Sequence, residues 1–92
     1  MKVTLDASAI KDIAAIGEWI AKDNLRAAKA VVQAIMRTVS CLEMFPRMGH
    51  AGRAKGSYEY SVSGTPYIIV YEVWKKSDAV IVTAVFHGAR ER

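Results

Sequence analysis

The stretch from Gly64 to Arg90 constrains the fold more than any other part of this chain. Gly64-Thr65-Pro66-Tyr67-Ile68-Ile69-Val70-Tyr71-Glu72-Val73-Trp74 is rich in β-branched and aromatic residues, and so is Ala79-Val80-Ile81-Val82-Thr83-Ala84-Val85-Phe86. Only Lys75, Lys76, Ser77 and Asp78 separate the two runs, a polar link that reads as a β-hairpin turn. A small domain must bury a hairpin this apolar. The second run then ends on His87 and Arg90, which it presents where the strand stops.

The 92 residues suffice for one domain, taken here as residues 1–92. A core can form, but a domain of this size keeps much surface for its volume and should be marginally stable alone. Hydrophobic residues make up 52% of the chain, so either the core is generous or a face is meant to be covered by a partner. The net charge of +4 permits an acidic partner, nucleic acid or protein, without choosing between them. The excess lies in residues 47–92, which carry 7 basic and 4 acidic residues against 6 and 5 in residues 1–46.

Cys41 is alone, so no internal disulfide forms, and its apolar helical surroundings suggest a buried structural thiol. No apolar run is long enough to span a membrane and the N-terminus lacks a signal-peptide pattern, so a cytoplasmic location is expected. No metal or cofactor is expected.

In chain order, Lys2-Val3-Thr4-Leu5 reads as a short edge strand. Asp6 is a good N-cap for a helix beginning at Ala7. Ile10, Ile13, Ile16 or Gly17, and Ile20 recur at helical spacing through Ala21, with Lys11, Glu18 and Lys22 on the other side. Trp19 adjoins the apolar stripe, where core packing is the plainer reading and a binding role the other. Asp23 or Asn24 caps a second helix from about Leu25 to Met44, with an apolar stripe of Ala28, Val31, Val32, Ile35, Met36, Val39, Leu42 and Phe45. Pro46 is expected to end it. The two helices form an antiparallel hairpin.

Residues 46–57 read as a loop in which Pro46, Gly49, Gly52 and Gly56 alternate with Arg47, His50, Arg53 and Lys55. It is either a cationic surface for phosphate or acidic side chains, or a solvated connector. Its glycines and Lys55 do not form a P-loop frame. Tyr58, Tyr60 and Val62 then share one face of a strand, with Glu59 and Ser61 on the other. On the next strand Tyr67, Ile69, Tyr71 and Val73 oppose Ile68, Val70, Glu72 and Trp74. One face packs on the helices and the other is still mostly apolar, which predicts a partner segment over the sheet or the helices. The architecture expected is α+β: an N-terminal strand and a two-helix antiparallel hairpin packed on an antiparallel β-sheet.

Several segments, in this order, resemble a known family. They are Ala9 and Asp12 in the first helix, Asp23-Asn24 with Ala27-Ala28, and Leu42 with Phe45-Pro46-Arg47-Met48-Gly49. Gly64-Thr65-Pro66-Tyr67-Ile68-Ile69-Val70-Tyr71 and His87-Gly88-Ala89-Arg90 complete the set. Over nearly its whole length the chain resembles the RelE/ParE superfamily of toxins of type II toxin–antitoxin pairs, and the ParE branch more closely. It departs from that pattern at Leu25, often Pro in the family, at His50, where Arg commonly follows the Gly, and at Glu72, often basic.

The resemblance implies a toxin whose action is blocked by a cognate antitoxin that wraps the helices and the sheet edge, forming a hetero-oligomer. ParE-like toxins inhibit DNA gyrase. RelE-like toxins are ribosome-dependent endonucleases that cut messenger RNA. RNA cleavage needs a base, cations for the phosphate and an acid, and the candidates here are His87, Arg90, Arg53 and Lys55. Such nucleases usually carry an aromatic or acid–base residue near the C-terminus, whereas the tail after Arg90 is Glu91 and Arg92, with no Tyr or His. His87 reads equally as a residue that holds the C-terminal turn, and Arg90 as a partner of Glu59 or Glu91. Gyrase inhibition requires only a binding surface. Candidates for antitoxin or target binding are Arg47, Arg53, Lys55, Trp19, Trp74 and Arg90. A third reading is an inactive module that only binds antitoxin.

Overall fold

Local chemistry opens both helices. In the computed structural model, which describes residues 1–89, strand β1 (Lys2–Leu5) leads into helix α1 (Ala7–Ala21). The Asp6 carboxylate accepts the Ala9 N–H at 2.9 Å, satisfying one of the donors that a helix start leaves unpaired. Helix α2 (Leu25–Cys41) is capped in the same way by Asn24, whose side-chain oxygen accepts the Ala27 N–H at 2.9 Å. The regular helix stops at Cys41, short of the expected Met44. The Cys41 carbonyl takes two donors, Met44 N–H at 3.2 Å and Phe45 N–H at 3.0 Å. The chain has therefore already tightened into a turn before Pro46 is reached. The two helices pack closely at Gly17, where a Cβ would come within 3.3 Å of Val32 Cγ2.

Four strands follow: β2 (His50–Ala51), β3 (Ser57–Ser61), β4 (Tyr67–Trp74) and β5 (Ala79–His87). Strand β2 lies inside the expected loop, where His50 pairs with Glu59 and Ala51 with Tyr58. The sheet order is β1-β5-β4-β3-β2. Strands β2 to β5 are antiparallel, as the hairpin pattern requires. β1 joins β5 in parallel, so the sheet is mixed. The helical hairpin carries the chain from the β1 edge to the β2 edge, and the meander back to β5 ends alongside β1 in the same direction. The β4–β5 turn closes on Asp78, whose φ of 51° lies in the left-handed region that Asp tolerates.

Both helices share one side of the sheet. Ala9, Ile13, Ile35, Val39 and Leu42 meet Tyr67, Ile69 and Tyr71 of β4 and Val80, Val82 and Val85 of β5 in one cluster. Ile35, Leu42 and Ile69 are fully buried, each contributing about 1.5–3 kcal/mol. Alternation then turns Ile68, Val70, Glu72 and Trp74 of β4 to the outer face, together with Ile81, Ala84 and Phe86 of β5. These side chains stay partly exposed.

Two core expectations are corrected. Trp19 is 55% exposed and stands at a cavity wall instead of in the core. Cys41 is exposed, because α2 turns its last residue toward a surface groove and buries Leu42 instead.

Candidate functional site

Three regions carry the polar and exposed aromatic groups. The first lies between α1 and the end of β5. The β4–β5 register shifts between Val70, opposite Ala84, and Tyr71, opposite Val82, which leaves Thr83 as the extra residue of a bulge. β1 pairs only with Ala79–Val82, so among the described residues no strand flanks the second half of β5 on that side. Asp12 takes the place of one, its Oδ2 accepting the Val85 N–H at 3.0 Å. Asp12→Ala is expected to leave that part-buried donor unpaired and to lower stability by about 1–3 kcal/mol in urea unfolding, whereas Asp12→Asn, which keeps an acceptor, costs less.

Beside this contact, a cavity of about 330 Å³ is lined by Asp12, Ala15, Ile16 and Trp19 of α1, Tyr67 of β4, and Val85 and His87 of β5. The His87 ring meets Tyr67 edge-on, with centroids 5.4 Å apart. Nδ1 of His87 accepts the Ala89 N–H at 3.2 Å, so the neutral ring carries its proton on Nε2. Lys22 Nζ sits 5.4 Å from the centroid of the Trp19 ring.

The second region is the cationic loop. Tyr71, fully buried, accepts the Gly49 N–H at 3.0 Å, and its ring stacks on Tyr58 at 5.5 Å. Tyr58 in turn accepts a hydrogen bond from Arg47 Nη1 at 3.0 Å. Burial pushes the Tyr71 hydroxyl up from its ordinary pKa, the Gly49 N–H opposes this, and the phenols of Tyr58 and Tyr60 reinforce it. Gly49 has no room for a side chain, since a Cβ would lie 2.7 Å from the Glu59 carbonyl oxygen. Arg53 and Lys55 are exposed in a turn held by Gly52 N–H to Ser57 C=O at 2.9 Å and by Ser57 Oγ to Ala54 C=O at 2.7 Å.

The third region is the surface beside the loop. A groove of about 400 Å³ between α2 and β3 is lined by Ala34, Arg37, Cys41, Phe45, Met48 and Tyr60, among others. Phe45 is 58% exposed there and Met44 78% exposed. On the outer sheet face, Trp74 Nε1–H donates to Glu72 at 2.9 Å, and Glu59 is buried with 3% exposure.

The candidate residues are thus distributed over the molecule. Arg47, Arg53 and Lys55 share the β2 edge. His87 stands at the other side, three strands away or roughly 14 Å across the sheet. It also pairs with Tyr67, whereas Ser57 beside Lys55 pairs with Glu72, a further roughly 16 Å along β4. Trp19 and His87 meet at the cavity, and Trp74 lies on the outer face. Arg90 falls outside the described residues. Sequence reasoning gave Asp12 no chemical role, and considered Glu59 only as a possible partner of Arg90. Asp12 is three residues from Ala9 and four from Ile16, and an acid in a buried stripe was the available signal. Among the described residues no group of His, Cys, Asp and Glu could hold a metal ion, and no helix is long and apolar enough to cross a membrane.

Known proteins share this arrangement. The family described as the ParE toxin of the type II toxin–antitoxin system parDE matches residues 3–92. The chain belongs to the ParE toxin family. The Sinorhizobium fredii protein Y4kP, named as a candidate toxin, is 34% identical over 83 residues, covering 90% of this chain and 83% of its own. Among solved structures, the chromosomal ParDE toxin–antitoxin system of P. aeruginosa superposes with a TM-score of 0.83 at 17% identity, covering 95% of both chains. The isolated E. coli RelE toxin superposes at 0.73 with 17% identity, over 99% of this chain and 87% of its own. These ParE and RelE structures share the fold of this ParE-family toxin: an N-terminal strand, two helices and a five-stranded mixed sheet.

Proposed function

We propose that this ParE-family toxin acts in the cytoplasm by inhibiting DNA gyrase and is neutralised by a cognate antitoxin. The observation that carries the reading is the family match over residues 3–92. Geometry supports a binder over a nuclease. Among the described residues His87 stands apart from Arg53 and Lys55, so these two cations do not converge with it on one phosphate. On the outer sheet face the partly exposed Glu72 adds negative charge that disfavours phosphate.

The antitoxin, in this reading, lays the apolar side of a helix along Phe45, Met48 and Tyr60. Its acidic residues meet Arg47, Arg53 and Lys55 at the adjacent loop. Relatives of the same fold have been crystallised with antitoxins, among them the E. coli RelBE complex.

Induced expression without antitoxin tests the reading in cells. Growth arrest with broken chromosomal DNA and intact messages is the expected result. Cut messages with intact DNA would favour a nuclease, and unimpaired growth with folded protein an inactive module.

A further inference from the structure

We propose that the groove between α1 and α2 seats a second copy of this chain, related by a two-fold axis that runs along the helical hairpin. The proposal does not rest on the gyrase reading. The groove, about 410 Å³, is lined by Ala21, Leu25, Ala28 and Val32, with Glu18 on the α1 side and Lys29 on the α2 side. Leu25 is 61% exposed there. Helical spacing carries the apolar strip on to Met36, four residues beyond Val32, and to Ile10, seven before Gly17, and both are exposed. A continuous apolar strip with a polar rim marks a protein contact.

Charge selects the occupant. Glu18 and Lys29 are exposed, and among the described residues neither has an ion pair or a hydrogen bond. Gly17 meets Val32 across the antiparallel helices, so Glu18 and Lys29 differ by two residues in height, roughly 3 Å. A two-fold axis along the hairpin keeps every height and lays α1 of one copy on α2 of the other. Glu18 then faces Lys29 of the other copy, and the pair forms twice, as an isologous contact requires. By the same count Met36 comes opposite the small Ala14. Each helix gains an antiparallel neighbour, the arrangement of a four-helix bundle. A two-fold across the hairpin would instead lay α2 on α2, and Leu25–Cys41 holds Arg26, Lys29 and Arg37 without one acid. An acidic antitoxin finds no match here, since one acid and one base leave the groove without net charge, whereas Arg47, Arg53 and Lys55 attract it. The α2–β3 groove is lined by other residues of α2, among them Ala34, Arg37 and Cys41, so the dimer leaves both antitoxin grooves open.

The test is sedimentation equilibrium of purified full-length toxin over a concentration series. Twice the mass of the 92-residue chain is expected, with a roughly micromolar Kd, the weak end for protein interfaces. Glu18→Lys and Lys29→Glu each set like charges together at both contacts and should weaken the dimer at least about tenfold. Far-UV circular dichroism and antitoxin affinity should stay the same, because both side chains are exposed and lie outside the α2–β3 groove. Mixed in equal amounts, the two variants should form a heterodimer at wild-type affinity, since one carries only bases and the other only acids at the two positions. A chain with both changes should dimerise alone for the same reason. A wild type that stays monomeric at roughly a hundred times that concentration, a dimer indifferent to either reversal, or variants that stay apart when mixed would overturn the proposal. So would loss of antitoxin affinity in either reversal variant, which would give the groove to the antitoxin.

Discussion

Saturating antitoxin is expected to raise the melting temperature of the toxin by roughly 15–30 °C. A ligand that binds only the folded state, present at about a thousand times its Kd, adds about 4 kcal/mol. In a domain of this size each kcal/mol is worth about 4–8 °C. The surface available for such binding is unusually apolar, with Met44 78% and Phe45 58% exposed beside the α2–β3 groove. Phe45→Glu should leave the free toxin's melting temperature nearly unchanged, because the side chain is already in water, and should remove most of the antitoxin-induced shift. Hot-spot losses at a central aromatic are typically 2 kcal/mol or more. A shift that survives Phe45→Glu intact would place the antitoxin elsewhere.

The second large effect concerns the contact that ties the cationic loop to the sheet. Gly49→Ala forces a Cβ to within 2.7 Å of both the Glu59 carbonyl oxygen and the Tyr71 hydroxyl, so loop and strand must separate. Overpacking of this kind costs about 1–3 kcal/mol, and the Gly49–Tyr71 hydrogen bond is lost with it. Tyr71→Phe isolates the hydrogen-bond part and should cost about 1–3 kcal/mol in urea unfolding, since Gly49 N–H loses its acceptor. The same residue adds an alkaline limit. Its pKa in the fold is raised above the ordinary tyrosine value of 10.0, so above that pH the unfolded chain releases a proton that the folded chain holds. Its contribution is complete below 10.0 and is lost as pH rises through the folded value. The Tyr71→Phe protein should therefore lose less stability than wild type between pH 9 and 11, and parallel curves would contradict this.

Much of the fold was legible because local chemistry and global packing agree. Asp6 and Asn24 are caps by residue type, and the Tyr67–Trp74 and Ala79–His87 strands declare themselves by composition and by the polar turn between them. The parallel pairing of β1 was not legible, since four residues, Lys2–Leu5, carry no mark of direction. β2 was hidden because two residues among glycines and cations show no alternation. Trp19 misled because its helical position adjoins the stripe, while the wall opposite it is a cavity. The pairing of Asp12 with Val85 joins residues 73 apart, a contact that helical periodicity alone does not reveal. Function was legible at family level through segments such as Gly64–Tyr71, and no local pattern of acid, base and cation specified more.

The most direct test of the account is a supercoiling assay with purified toxin, gyrase, relaxed plasmid and ATP, run beside a translation reaction probed for cut messenger RNA. The account predicts blocked supercoiling or trapped cleaved DNA, intact message, and recovery on adding stoichiometric antitoxin. Cut message with normal supercoiling would contradict it and return His87, Arg53, Lys55 and Arg90 to the centre of the chemistry.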